Sequence, residues 1–192
     1  MLQNRKLFMK HFFSIAFFSL LMLNIAEAQE LIIGSEYVKP GIRFIFEGAI
    51  KDDVKPYDMH LPESDTDVHI EARVNWESDP DLEVPEGAVR GGFIPYLFVR
   101  AVVTNEKTGA IADVMLSPHI NNIDNFHYAR NMKLPGGIDE LYSVAFYLSP
   151  PGSHELSTHL DWRSAYGEQL MQPVTFRYSG VDFEEIAKAS RR

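Results

Sequence analysis

The segment from Val68 to Trp76 alternates strictly between apolar and polar residues, and this pattern constrains the fold more than any other feature of the chain. Every even-numbered position in it is apolar and every odd-numbered position is polar. Side chains of a β-strand point alternately to opposite faces, so a period of two is typical of a strand with one face in a core and the other in solvent. The pattern predicts such a strand here, with Trp76 buried beside Val74.

Five further segments are rich in valine, isoleucine, phenylalanine and tyrosine, and turn-forming residues separate them. These predicted strands are Gly41–Ala49, Phe93–Thr104, Ala110–Leu116, Leu141–Ser149 and Pro173–Tyr178. One short helix is predicted at 181–189, and surface loops are predicted at 78–86 and 117–125. Short strands at this spacing, with no amphipathic helix between them, indicate an all-β fold, an antiparallel β-sandwich.

Residues 1–28 have the three parts of a secretory signal peptide. Three basic residues, Arg5, Lys6 and Lys10, precede an apolar stretch at 12–25, and Ala26-Glu27-Ala28 supplies a small-residue cleavage site. The apolar stretch is shorter than the ~20 residues that span a bilayer comfortably. We therefore expect export to the periplasm, removal of the signal, and a single β-sandwich domain over 29–192 with no membrane anchor. A lipid anchor is excluded because the chain has no cysteine.

The composition of the expected mature chain limits its partners. Removing residues 1–28 takes away three basic residues and Glu27, which leaves 15 basic and 26 acidic residues and a net charge of −11. This sign argues against nucleic acid and anionic membrane surfaces as partners, and it is compatible with attracting cations. Without cysteine, the fold depends on burial of apolar surface and not on disulfides.

Motifs of common enzyme classes are absent from the sequence. It has no Gly-x-Ser-x-Gly elbow, phosphate-binding loop, dinucleotide fingerprint or His-Glu-x-x-His helix. Histidine and methionine instead fall in local clusters: Met59-His60, Met115 with His119 or His127, and His159-Leu160-Asp161. Imidazole and thioether donors together suit copper and other late transition metals better than magnesium or calcium. The clusters make a metal site one hypothesis, beside packed or surface-exposed side chains.

Four sequence segments, in this order and spacing, resemble the periplasmic ferrous-iron transport protein family. They are Asp58-Met59-His60-Leu61, Gly92-Phe93-Ile94-Pro95-Tyr96-Leu97, His127-Tyr128-Ala129-Arg130-Asn131-Met132-Lys133-Leu134 and Phe146-Tyr147-Leu148-Ser149-Pro150-Pro151. The similarity extends from about Val38 to Tyr178. It implies an immunoglobulin-like β-sandwich, a homodimer, and a bound metal, often copper, in a protein that assists a high-affinity iron permease of the inner membrane.

The same resemblance implies four metal ligands, one from each of four places in the chain. They are His60, Met115, His127 and His159. Three neutral imidazoles and one thioether would bind copper in either oxidation state, with preference over manganese and iron. Protonation of the imidazoles below their ordinary pKa of ~6.5 should release the metal.

Other donors compete with these four ligands. Glu63 is a weaker candidate, because Pro62 moves its carboxylate one place further from His60 than the family pattern has it. His119 competes for the role assigned to His127, although a histidine in a predicted loop is most simply solvent-exposed. His69 and Glu71 lie on the polar face of the alternating strand, and they are potential donors on what is most simply a solvated face.

The sequence leaves three classes of function open. The leading interpretation is a periplasmic metal-binding component of iron uptake that holds copper, iron or both, and does not itself catalyse a reaction. A copper-dependent oxidase of ferrous iron is the enzymatic alternative, since one ligand cluster serves carriers and oxidases equally well. A structural or adhesion module is the third, because a β-sandwich scaffold alone permits it.

Overall fold

The computed structural model describes residues 30–190, in which eight β-strands contain most of the residues in regular secondary structure. The strands are β1 (Glu30–Val38), β2 (Ile42–Ala49), β3 (Val68–Trp76), β4 (Phe98–Asn105), β5 (Ile111–Asn121), β6 (Asn125–Met132), β7 (Leu141–Ser149) and β8 (Val174–Asp182). A 3-10 turn covers Glu63–Asp65, and two short helices are α1 (Leu160–Tyr166) and α2 (Glu184–Lys188). The predicted signal peptide lies outside the described residues. Within them, no helix combines the length and apolar character needed to cross a membrane.

All strand pairs are antiparallel, in the order β1-β2-β3-β6-β5-β4-β7-β8. Strand β5 belongs to two halves of the sheet, because its first part pairs with β4 and its second part pairs with β6. The two edge strands also approach each other, and the Tyr178 hydroxyl donates to the Glu36 carboxylate at 3.0 Å. The all-β antiparallel prediction is confirmed, in the form of one curled, nearly closed, barrel-like sheet.

The core lies between the two halves of this sheet. The alternating apolar residues of β3 are buried, and so are the inward-facing residues of β2 and β7. Phe46 of β2 stacks on Phe146 of β7 with ring centroids 4.0 Å apart, which joins one half to the other. Trp76 is only partly buried and packs against Trp162 of α1, so its predicted full burial is wrong.

Two other boundary predictions differ from the structure. The segment 117–125 is not a loop, since β5 continues to Asn121 and β6 begins at Asn125. Its proline, histidine and asparagine residues favour a loop locally, but pairing with β6 overrides that preference. The predicted helix at 181–189 shortens to α2, because β8 extends to Asp182. Strands β1 and β6 and helix α1 were not predicted at all.

Candidate metal centre

Three histidines from three neighbouring strands meet on the outer face of the sheet. His69 lies on β3, His119 on β5 and His127 on β6, and their ring nitrogens include donor atoms within 4.8 Å of one another. The register explains the meeting, because His119 and His127 are direct cross-strand partners. Side chains of directly opposed residues share a face about 5 Å apart. Sheet pairing therefore assembles a potential metal site from residues distant in sequence.

A fourth histidine comes from the long connection between β2 and β3. This segment, residues 50–67, is called the covering loop below. His60 from the covering loop is buried, and its ring centroid lies 4.8 Å from that of His119. Its Nδ1 atom is buried without a hydrogen-bond partner among the described residues. A buried imidazole nitrogen with no partner is unfavourable, unless a ligand occupies its lone pair.

The polar face of β3 is not solvated, and at His69 it borders the cavity under the covering loop. His69 and Glu71 are only 3% and 2% exposed, so the expectation of a solvated face is wrong for both residues. The loop and the end of β5 enclose a cavity of about 420 Å³ whose lining includes His60, His69, His119 and His127. Asp52, Asp53 and Lys55 also line it, so its rim carries both acidic and basic side chains.

Hydrogen bonds to backbone and amide groups orient two of the imidazoles. His69 Nδ1 lies 2.6 Å from the side-chain oxygen of Asn131, and His127 Nδ1 lies 3.2 Å from the backbone oxygen of Asn125. Both partners are acceptors, so each Nδ1 carries the proton and each Nε2 keeps its lone pair. Such partners fix the tautomer of metal-binding histidines. The remaining contact is weaker, with His119 Nε2 at 3.3 Å from the Ser117 hydroxyl.

Burial favours the neutral form of three of the histidines, His60, His119 and His127. It lowers the pKa of His119 to about 3, with a further lowering from the adjacent imidazoles of His69, His60 and His127. Burial also lowers the pKa of His60 and that of His127. Since only the neutral ring donates to a metal, these imidazoles need no deprotonation at neutral pH.

Glu71 lies beside the histidines and is short of compensating charge. Its Oε1 atom is 3.6 Å from His69 Nε2 and 3.9 Å from His127 Nε2, while Oε2 is buried without a partner among the described residues. Burial first, and then repulsion by Asp124 and other carboxylates, raises the pKa of Glu71 to about 8. A bound cation would relieve both the repulsion and the desolvation.

A second buried carboxylate stands directly opposite Glu71 on β2. Glu47 is fully buried and forms an ion pair with Arg73, yet burial still raises its pKa to about 7. Arg73 also faces the carboxylates of Glu30 and Asp124, each at 3.8 Å. One guanidinium therefore serves several acidic groups next to the histidine cluster.

The spacing suits a single transition-metal ion. Imidazole nitrogen and carboxylate oxygen bind such ions at about 2.0 to 2.2 Å, so two donors on one ion lie about 3 to 4 Å apart. The Glu71 to histidine separations of 3.6 and 3.9 Å fall in this range. A site rich in imidazole suits copper, zinc, iron and nickel, whereas magnesium and calcium prefer all-oxygen ligands.

The structure brings together only some of the residues that the sequence singled out. His60 and His127 line the cavity, and so does His119. Met115 is on β5, exposed, and four residues before His119, which is about 13 Å along a strand. Glu63 lies in the 3-10 turn and does not line the cavity.

His159 is on a different part of the molecule. It is exposed and immediately precedes α1, whose Trp162 packs against Trp76 at the end of β3. His69 is at the beginning of the same strand, seven residues away or about 23 Å along it. His159 therefore lies on the order of 20 Å from the histidine cluster of its own chain.

The sequence gives His119 only as a competitor of His127, and two further residues, His69 and Glu71, are missing from the predicted ligand set. Both were noted as potential donors on one strand face, and their spacing of two residues does place them on the same side. The missing information was that this face is buried.

With this geometry in place, comparison with known proteins is informative. The model of the family described as "Fe2+ transport protein" matches residues 27–184, which is most of the chain. The chain belongs to the Fe2+ transport protein family. The resemblance seen in the sequence is confirmed.

Relatives of this family member include proteins from two bacterial genera. The chain is 28% identical over 159 residues to a UPF0423 protein of Brucella abortus, which covers 81% of this chain and 83% of that protein. It is 32% identical over 138 residues to the 34 kDa membrane antigen of Treponema pallidum, which covers 68% of this chain and 64% of the antigen.

Solved structures of similar proteins include copper complexes. Copper-reconstituted P19 from Campylobacter jejuni is 25% identical, with a TM-score of 0.64, and the match covers 78% of this chain and 94% of P19. FetP from uropathogenic Escherichia coli shares the fold at 22% identity, with a TM-score of 0.63 over 80% of this chain and 95% of FetP.

Proposed function

We propose that this protein binds one copper ion at His69, His119 and His127, with His60 and Glu71 completing the site, and that it serves as a metal-binding component of iron uptake. The observation that supports this most is a cluster of three imidazoles, two of them buried, in a member of the Fe2+ transport protein family. Copper is favoured because P19, a similar structure, binds copper, and because imidazole donors prefer it over iron and manganese.

Iron is then the transported ion, or a second ion for the same site. Asp52 and Asp53 line the cavity together with Lys55, and the excess of acidic over basic residues in the whole chain is compatible with attraction of either cation. We propose that the protein assists an inner-membrane iron permease after export to the periplasm. Cleavage before Gln29 is part of this proposal, and an intact mass that retains Met1 in periplasmic protein would reject it.

We further propose that the working unit is a homodimer. An apolar groove lined by Phe93, Pro95, Tyr96, Phe98 and Phe126 is exposed next to the metal centre, and Pro118 lines both the groove and the metal cavity. A contiguous apolar surface of this kind is typical of an interface. We also propose that the curled sheet of each subunit corresponds to an immunoglobulin-like sandwich.

A homodimer would bring His159 and Met115 of a second copy to the site. Since His159 lies on the order of 20 Å from the cluster of its own chain, it can ligate only from a second copy. Met115 is exposed on the strand that carries His119, so it can face a second copy as well. The copper affinity of His159→Ala should therefore be lower than that of the wild type only at protein concentrations where the wild type is dimeric. Sedimentation determines these concentrations.

The proposed function is tested by titrating copper into mature, metal-free protein against a competing chelator. We expect one ion per chain at about pH 7, and a loss of at least about 100-fold in affinity for His69→Ala. His154→Ala is the matched control, because that histidine is exposed and outside the cavity lining. Equal affinity in both variants, or no copper bound by the wild type, would reject the proposed site.

A further inference from the structure

Asn131 makes hydrogen bonds to both sides of the metal centre. It lies on β6 directly opposite His69 and is 2% exposed. Its side-chain oxygen is 2.6 Å from His69 Nδ1. Its side-chain nitrogen donates to the backbone oxygens of Asp52 at 2.8 Å and Leu61 at 2.9 Å. One buried amide thus contacts a metal-site histidine and two points on the covering loop.

These contacts allow only one orientation of the amide. The backbone oxygens of Asp52 and Leu61 accept hydrogen bonds, so the NH₂ group must face them and the oxygen must face His69. The oxygen is an acceptor, so His69 Nδ1 must carry its proton. The lone pair of His69 is then on Nε2, the nitrogen 3.6 Å from Glu71 Oε1. Asn131 therefore sets which nitrogen of His69 can bind a metal.

The two loop contacts bracket the segment that carries His60. Residues 53–60 lie between the anchored carbonyls, and no strand pairing holds any of them. His60 immediately precedes the anchored Leu61, and its buried Nδ1 lacks a partner among the described residues. Loss of the amide would leave two carbonyls in need of new partners and would free both ends of the segment. A carbonyl that loses its partner away from water is unfavourable, so loss of the amide favours opening of the loop to water.

We propose that Asn131 is a positioning residue that couples the covering loop to the histidine cluster, so that the loop holds His60 in place for the metal while the same amide orients His69. This inference rests on the proposed function, since it concerns the same copper site. A ligand on a free loop loses conformational entropy each time it binds, whereas a loop that is already anchored does not. Asn131 should thus make His60 an effective ligand.

A double-mutant cycle separates this coupling from a merely structural role. Asn131→Asp keeps an oxygen for His69 Nδ1 but lacks the NH₂ group that anchors the loop. In the wild type, His60→Ala should weaken copper binding at least about tenfold, because one nitrogen donor is lost. In the Asn131→Asp background, the same His60→Ala change should weaken it by less than about threefold, because His60 is no longer held.

The coordination can be observed directly by electron paramagnetic resonance of the Cu(II) protein. Asn131→Asp and His60→Ala should each lower the number of coordinated imidazole nitrogens by one. Asn75→Asp is the matched control, because the Asn75 amide likewise donates to a loop carbonyl, that of Gly91 at 2.9 Å, from the far end of β3. Its copper affinity should stay within about twofold of the wild type.

Two results would overturn the inference. One is additive losses for Asn131→Asp and His60→Ala, and the other is an unchanged nitrogen count in Asn131→Asp. In either case, copper bound by the wild type and lost in His69→Ala would still support the proposed function. If Asn131→Asp does not fold, hydrogen exchange decides: copper should slow exchange of the covering-loop amides in the wild type but not in His60→Ala, and equal protection in both would refute the coupling.

Discussion

Replacing Glu71 with glutamine should make the metal-free protein more stable at alkaline pH. Burial raises the pKa of Glu71 from the ordinary 4.5 to about 8. In the folded protein this carboxyl therefore keeps its proton at pH values where the unfolded chain has lost it. Its contribution to stability is fully present below the ordinary pKa and is lost as the pH rises through about 8. Glutamine has nearly the same shape and does not titrate, so the loss should disappear.

The size of the effect follows from the two pKa values. Each pH unit between them costs the wild type about 1.4 kcal/mol. The wild type should have lost about 2 kcal/mol by about pH 6 and about 4 to 5 kcal/mol by about pH 9. The free energy of unfolding of Glu71→Gln, relative to that of the wild type, should therefore increase by about 2 to 3 kcal/mol between these two pH values.

Urea denaturation at a series of pH values, on protein freed of metal by a chelator, measures this difference. Burial lowers the pKa values of His60, His119 and His127 below 6.5, so these rings should stay neutral in both folded proteins over most of this pH range. Glu86→Gln is the control, because Glu86 is exposed and its variant should follow the wild type at every pH. If the stability curves of Glu71→Gln and the wild type run parallel from pH 6 to pH 9, burial does not raise the pKa of Glu71 to about 8.

Further variants test the site and the core. His119→Ala should lower copper affinity at least about 100-fold in a chelator competition. Loss of a residue that binds the metal directly should exceed the roughly 10–100-fold effect of losing a residue that only hydrogen-bonds to a ligand. An effect equal to that of His154→Ala would contradict this. Phe46→Ala should lower the free energy of unfolding by about 3–5 kcal/mol, because the ring is fully buried against Phe146, and a loss under about 1 kcal/mol would show that the two halves of the sheet do not depend on this contact. Trp76→Ala should cost less than Phe46→Ala in the same denaturation assay, because Trp76 is only partly buried.

Local patterns were enough for much of the fold. The alternation in Val68–Trp76 predicted the bounds of β3, and the composition of Leu141–Ser149 predicted those of β7. Both were readable locally, because the side of a strand that faces a core needs apolar residues. The segment 117–125 was misread for the converse reason. Its residues favour a loop, and only the partner strand β6 makes it a strand.

The family and the chemistry of the site were also accessible from the sequence. Four short segments in a fixed order indicated the ferrous-iron transport family, and the family model confirms it. Histidine and methionine as candidate donors followed from the absence of cysteine and from the local clusters of these two residue types. These conclusions depend on which residues the chain contains and on their order, which the sequence states directly.

The membership of the site was decided by the tertiary structure. Alternation placed His69 and Glu71 on one face of β3, but it does not say whether that face is covered, and here both side chains are buried. Met115 and His159 looked like equivalent candidates, yet strand length separates the first from His119 and the packing of α1 separates the second. Sequence periodicity fixes the direction of a side chain relative to its own strand, whereas distances between strands, loops and helices arise only when the sheet pairs and curls.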